Sequence, residues 1–107
     1  YVVDATRCIS YLTIERRGED IPPDLQSRMG NHIFGCDDCL DVCPFNLRAE
    51  PTCHTAFQPS PLTLAPHLER LAGLDEAAFR QSFLHSPIKR AKLAGLQRAL
   101  AIAKANQ

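Results

Sequence analysis

The amino-acid sequence predicts a mostly α-helical fold, in which a cysteine-rich segment is followed by a helical tail. Apolar residues recur at helical spacing from Ile88 to Ala103 near the end of the chain. Ser86 and Pro87, which precede this run, are a favoured cap and a favoured first helical residue. Four of the five cysteines lie between residues 36 and 53. Because the cysteine count is odd and the cysteines cluster, a metal site is favoured over a disulfide framework.

The first half of the chain is predicted to contain three short helices. The first runs from Thr6, its cap, to Arg17, and Cys8 lies in its first turn. The second occupies residues 22–30, where two prolines can start it and a glycine can stop it. The third makes about two turns over residues 37–43, because Pro44 prevents its continuation.

The second half is predicted to contain a loop and three further helices. Residues 48–61 are rich in Pro, Thr and Ser and are interpreted as a linker. Helices are expected over residues 64–71, 75–83 and 86–105. The apolar residues of the last helix cover more than half of its circumference, so it should pack on two sides.

These elements predict a division of the chain into three parts. Residues 1–47 form a cluster-binding segment, residues 48–61 a linker and residues 62–107 a helical tail. The tail resembles one HEAT-type unit, a pair of helices that stacks on neighbouring pairs. An ordinary helical hairpin explains the same pattern, because a single copy cannot establish a repeat.

The cysteines at residues 36–44 form a C-x2-C-x3-C-P array. Bacterial ferredoxins use C-x2-C-x2-C-x3-C-P, in which three cysteines bind one [4Fe–4S] cluster and the cysteine before proline binds the other. Cys36 and Cys39 therefore fit one cluster and Cys43 a second, in a ferredoxin-like arrangement. Cys8 is the best distant candidate to join Cys36 and Cys39, and the fourth ligand would come from a segment upstream of Tyr1.

Two other metal sites remain compatible with the spacing. A zinc site would combine Cys36 and Cys39 with donors from Cys8, Cys43, His32 or His54. A self-contained cluster would use Cys36, Cys39, Cys43 and Cys53. Otherwise Cys53 is a spare thiol in the linker.

Charge is distributed unevenly along a chain whose formal net charge is zero. No Asp or Glu follows Glu76, whereas six of the twelve Lys and Arg residues do. This asymmetry suggests a polyanionic partner for the tail, although a solvated helix face would have the same composition.

Several sequence blocks closely resemble the epoxyqueuosine reductase family. They are D-A-T-R-C-I-S-Y-L-T-I-E at residues 4–15, G-C-D-D-C at residues 35–39, V-C-P-F-N at residues 42–46, and the tail blocks at residues 86–90, 95–98 and 101–103. In that family a cobalamin-binding domain precedes a two-cluster ferredoxin-like domain, and the enzyme reduces epoxyqueuosine to queuosine in tRNA. The chain also begins without Met and is expected to be a fragment.

The resemblance implies roles for particular residues. Cys8, Cys36 and Cys39 would bind one [4Fe–4S] cluster and Cys43 the other, and the clusters would pass electrons to cobalamin. Catalytic residues would lie upstream of Tyr1. Ser10 and Tyr11 are candidates to face cobalamin. The candidates for tRNA phosphate contacts are Arg16, Arg17, Lys89, Arg90 and Arg98.

The remaining expectations concern partners and tuning. A donor such as flavodoxin or ferredoxin would supply electrons, and the protein is expected to be a cytoplasmic monomer. No membrane span is expected, because no apolar run approaches the roughly 20 residues that cross a bilayer. Asp37, Asp38 and Asp41 would lower the cluster potential through their negative charge, although helix capping and solubility explain them equally well. The competing function is an electron-transfer module, either of a dehalogenase-like cobalamin enzyme or of a stand-alone ferredoxin-type carrier.

Overall fold

The computed structural model describes residues 2–18 and 20–107, so Tyr1, where the first predicted part begins, lies outside the described residues. The chain starts with a 3-10 turn at Ala5–Arg7, where the Asp4 carboxylate accepts a hydrogen bond from the Thr6 N–H (3.0 Å). Cys8 then adopts an extended conformation (φ −73°, ψ 131°). The prediction of one continuous helix capped by Thr6 is therefore wrong: Asp4 caps a separate turn that ends at Cys8.

A second helical segment follows Cys8 at once. Its first bond is conventional, from the Leu12 N–H to the Cys8 carbonyl (3.0 Å). Tyr11–Glu15 is a π-helix, closed by the bond from the Arg16 N–H to the Tyr11 carbonyl (3.0 Å). Wide turns of this kind are rare and occur often at functional sites.

Two short α-helices complete the cysteine-rich part. Helix α1 is Pro23–Gln26 and helix α2 is Asp38–Asp41. Between them the chain turns through Gly30 and Gly35, both with positive φ, a conformation that glycine adopts without strain. This turn leads the backbone to Cys36, two residues before α2 begins.

The rest of the protein folds into a series of short helices and ends in one long helix. Two 3-10 turns and an exposed loop lie within residues 46–60. The later elements are α3 (Pro61–Leu64), α4 (Leu68–Ala72), α5 (Glu76–Ser82), a 3-10 helix (Pro87–Ala91) and α6 (Lys92–Ala105).

Two helices predicted as continuous are divided in the structure. Residues 64–71 do not form one helix, because Pro66 disfavours helical geometry at Ala65 (φ −152°), and Leu64 is left 70% exposed. The predicted helix over residues 86–105 begins as expected, with the Ser86 Oγ accepting from the Ile88 N–H, but it breaks at Lys92 (φ 60°).

Helix α6 joins two hydrophobic clusters. Leu96 and Leu100 pack in the larger one, which also contains Leu71, Phe79 and Phe83. Ile102 packs in the smaller one, which also contains Leu12, Ile21 and Met29 from the cysteine-rich part. The prediction that this helix packs on two sides is confirmed. The tail and the cysteine-rich part therefore share buried surface.

The mostly α-helical fold class is confirmed, and the described residues contain no strand. The HEAT-like character of the tail and the boundaries at residues 47 and 61 stay predictions. Among the described residues, no helix combines the length and apolar character that crossing a bilayer requires.

Candidate metal centre

The four cysteines predicted to be ligands lie in or beside short helical elements. Cys8 precedes the π-helical segment, Cys36 precedes α2, Cys39 lies within α2, and Cys43 follows it. Cys36 and Cys43 are half-buried, whereas Cys8 and Cys39 are exposed. All four are free thiols, and so is the exposed Cys53 in the linker.

Two hydroxyl groups connect the Cys8 segment to the Cys36 segment. The Oγ of Ser10 accepts a hydrogen bond from the Cys36 N–H (3.0 Å) and lies 3.3 Å from the Cys36 carbonyl oxygen, to which it donates. The Oγ1 of Thr13 accepts from the Gly35 N–H (2.9 Å) and donates to the Ile9 carbonyl (2.8 Å). Sequence analysis missed Thr13, although its position three residues after Ser10 puts both on one helix face.

Ser10 therefore contacts a predicted cluster ligand, which differs from the cobalamin-facing role expected for it. Tyr11 is half-buried and packs against the smaller hydrophobic cluster. A cobalamin contact by either residue stays a prediction.

Polar groups surround Cys36 on its other side. Donor atoms of His32, Cys36 and Asp38 lie within 4.8 Å of one another. The His32 Nδ1 bonds to the Met29 carbonyl oxygen (2.9 Å), and its Nε2 lies 3.8 Å from Asp38 Oδ1.

Asp38 shifts the pKa of the Cys36 thiol in two opposite directions. Its backbone N–H donates to the thiol and lowers the pKa of Cys36. Loss of hydration, the Asp38 carboxylate and the neighbouring Cys39 outweigh this, so the net pKa of Cys36 is raised.

The chemistry of these donors fits a [4Fe–4S] cluster. A cluster presents its irons at separate corners, so its thiolate ligands need not converge on one point. A single zinc ion needs four donors that converge on one point. Among the described residues, the group of His32, Cys36 and Asp38 offers three donors, and Asp38 is exposed. Cys8, Cys36 and Cys39 could hold one cluster, and Cys43, beyond α2, could reach another.

The predicted phosphate-binding residues divide into two groups. Arg90 forms a bidentate pair with Glu15 (Nε–Oε1 2.8 Å and Nη2–Oε2 2.8 Å), which raises its pKa. Arg98 donates from Nη2 to the carbonyls of Leu12 (3.2 Å) and Arg16 (2.7 Å). These two guanidinium groups hold the tail against the helical segment that follows Cys8.

The other three candidates differ in exposure. Arg17 and Lys89 are exposed, and Arg16 is half-buried. Phosphate binding by any of the five stays a prediction, and the geometry makes Arg17 and Lys89 the most accessible to it.

The fold and the cysteines define the chain as an iron–sulfur protein segment. Residues 1–46 match the family described as 4Fe-4S double cluster binding domain. The expectation of [4Fe–4S] clusters is confirmed by this match and by the relatives below.

Sequence relatives extend the likeness over nearly the whole chain. The chain is 43% identical to epoxyqueuosine reductase from Synechocystis sp. over 99 residues, which cover 92% of this chain and 34% of the relative. It is 42% identical to the enzyme of the same name from Escherichia coli over 106 residues, which cover 99% and 28%. By these similarities the chain belongs to the epoxyqueuosine reductase family. It spans about a third of the length of these relatives.

Solved structures show the same likeness. Epoxyqueuosine reductase crystallised with a tRNA-Tyr epoxyqueuosine-modified tRNA stem loop superposes with a TM-score of 0.86 at 31% identity, over 97% of this chain and 27% of that one. The structure from Bacillus subtilis gives the same TM-score, identity and coverage.

Proposed function

We propose that this chain is the iron–sulfur portion of a protein that reduces epoxyqueuosine to queuosine in tRNA. In this proposal Cys8, Cys36 and Cys39 bind one [4Fe–4S] cluster, and Cys43 is a ligand of the other. The observation that carries the assignment is the pair of hydrogen bonds between Ser10 and Cys36. Because Ser10 follows Cys8 by two residues, these bonds hold two distant cysteine segments together.

The residues of the chain bind, orient and tune the clusters. When bound, the clusters supply one-electron transfer toward cobalamin, from a donor such as flavodoxin or ferredoxin. Cys36 and Cys39 lie on either side of the start of α2, and Cys43 lies two residues beyond its end at Asp41. Asp38 adds negative charge beside Cys36, which disfavours an additional electron in the cluster.

Cluster reconstitution tests the ligand assignment. We would reconstitute the protein anaerobically, count iron, and record the electron paramagnetic resonance (EPR) spectrum of the reduced state. Cys8→Ala should lose cluster signal and iron, whereas the matched variant Cys53→Ala should retain both. The reverse result would favour the self-contained cluster containing Cys53, and zinc without iron would favour the zinc site.

Binding of tRNA is the second part of the proposal. The structural relative bound to a tRNA stem loop supports it, as does the absence of acidic residues after Glu76 in the sequence. Arg17 and Lys89 supply exposed positive charge on the described surface. Each phosphate contact that is lost should reduce the magnitude of the salt slope by about 1.

The binding test uses charge reversal with a matched control. Arg17→Glu and Lys89→Glu should weaken binding to a tRNA stem loop at low salt and flatten the dependence of log affinity on log salt. Arg80→Glu changes an exposed arginine that pairs with Glu76 within α5, and should have a smaller effect. Equal affinities and slopes in all three variants would contradict this surface assignment.

A further inference from the structure

The hydroxyl groups of Ser10 and Thr13 accept hydrogen bonds from two successive backbone N–H groups, the second of which belongs to Cys36. Thr13 accepts from the Gly35 N–H and Ser10 from the Cys36 N–H, at 2.9 and 3.0 Å. Thr13 is buried, with 2% of its surface exposed, and Ser10 is half-buried. Each hydroxyl also donates to a carbonyl, so both use their donor and acceptor capacity within the chain.

These contacts bring together two cysteines that lie far apart in the sequence. In a C-x2-C-x2-C array the first two ligands are held together by the two residues between them. Here residues 9–35 separate Cys8 from Cys36, and closing so long a loop costs conformational entropy. The bonds from Ser10 and Thr13 fix this closure through the protein itself.

The same bonds change which donors can reach a cluster. Backbone N–H groups that point at cluster sulfur stabilise the more negative reduced state and raise the reduction potential. The N–H of Cys36 is instead directed to Ser10 Oγ, and that of Gly35 to Thr13 Oγ1. Neither N–H is then available to sulfur.

We propose that Ser10 and Thr13 are positioning residues for the cluster bound by Cys8, Cys36 and Cys39, and that they keep its reduction potential low. They hold the Cys36 backbone against the Cys8 segment and keep two backbone donors away from the cluster. This inference rests on the proposed ligand set, and it adds two residues that bind no iron themselves.

The test is an EPR-monitored redox titration of the intact protein, with iron counting on each sample. Ser10→Ala and Thr13→Val remove the hydroxyl groups, and each should shift the midpoint potential of one cluster upward. Ser10→Thr and Thr13→Ser keep a hydroxyl and should restore the wild-type potential. Ser27→Ala is the control, because the Ser27 hydroxyl donates to the Asp24 carbonyl, away from the cysteines, and its loss should leave the potential unchanged.

The possible outcomes separate this inference from the proposed function. Full cluster content with an unchanged potential in Ser10→Ala and Thr13→Val would overturn the positioning role while leaving the ligand assignment intact. If these variants lose the cluster, retention in Ser10→Thr and Thr13→Ser supports the role, and equal loss overturns it. A wild-type protein without a cluster signal would overturn the ligand assignment and this inference with it.

Discussion

Leu12 joins the cysteine-bearing helical segment to the rest of the fold, and its truncation should be severely destabilising. Its side chain is 1% exposed and packs with Ile21, Met29 and Ile102. Replacing a buried leucine by alanine removes the transfer free energy of the lost carbons and leaves a cavity, which together cost about 3 kcal/mol. Leu12→Ala should therefore lower the free energy of unfolding by that amount.

Urea unfolding, followed by far-ultraviolet circular dichroism, measures the effect. With a slope of about 1.5 kcal/mol per molar urea for a chain of this size, the midpoint should fall by about 2 M. The cluster should also be bound less well, because Leu12 lies between Ser10 and Thr13 on the segment that holds Cys36.

Two further leucine substitutions serve as controls for this measurement. Leu64→Ala removes the same atoms from a side chain that is 70% exposed, and should change stability by less than about 0.5 kcal/mol. Leu12→Met keeps most of the volume and should cost less than about 1.5 kcal/mol. Equal urea midpoints for Leu12→Ala and Leu64→Ala would refute the packing role assigned to Leu12.

Three other predictions follow from single contacts. Arg98→Met removes a donor to two carbonyls of the helical segment that follows Cys8, and it should lower the free energy of unfolding in urea by about 1.5–3 kcal/mol. Arg80→Met should lower it little, and equal losses would contradict the anchoring role of Arg98. Asp38→Asn should raise the cluster midpoint potential in a redox titration, and an unchanged value would exclude tuning by this charge. Hydrogen bonds from the Thr6 hydroxyl and N–H hold the pKa of Asp4 below its usual value. The Asp4 cap should therefore stabilise the fold at pH values above the unfolded-state pKa of Asp4, and this stabilisation should be lost as the pH falls through the folded-state pKa. Nuclear magnetic resonance (NMR) titration should show this pKa rising in Thr6→Val, and no rise would contradict the hydroxyl contribution.

Local chemistry made several elements predictable. Asp75 caps α5 by accepting from the Ala78 N–H (2.7 Å), and Ser86 starts the following 3-10 helix, because both caps depend on residues within one turn. The predictions failed where a nearby residue changed the backbone. Asp4 formed a turn of its own before Cys8, and Pro66 divided the helix expected over residues 64–71.

The candidate site was also predictable only where it depends on residues close together in the sequence. The C-x2-C-x3-C-P array indicates iron–sulfur chemistry because thiolate spacing is a local property of the chain. The partners of Arg98 and Ser10 were not predictable in this way. Arg98 bonds to the Leu12 and Arg16 carbonyls, and Ser10 bonds to Cys36. The phosphate contact of Arg98 and the cobalamin contact of Ser10 stay predictions.

By itself the sequence determined the helical class of this protein, the caps at Asp75 and Ser86, and the cysteines available to bind iron. Each of these depends on residues close together along the chain. Only the tertiary structure decided that α6 packs on the cysteine-bearing segment, and that Ser10 and Thr13 hold the backbone before and at Cys36. These contacts join residues more than twenty positions apart, so only folding of the chain brings the partners together.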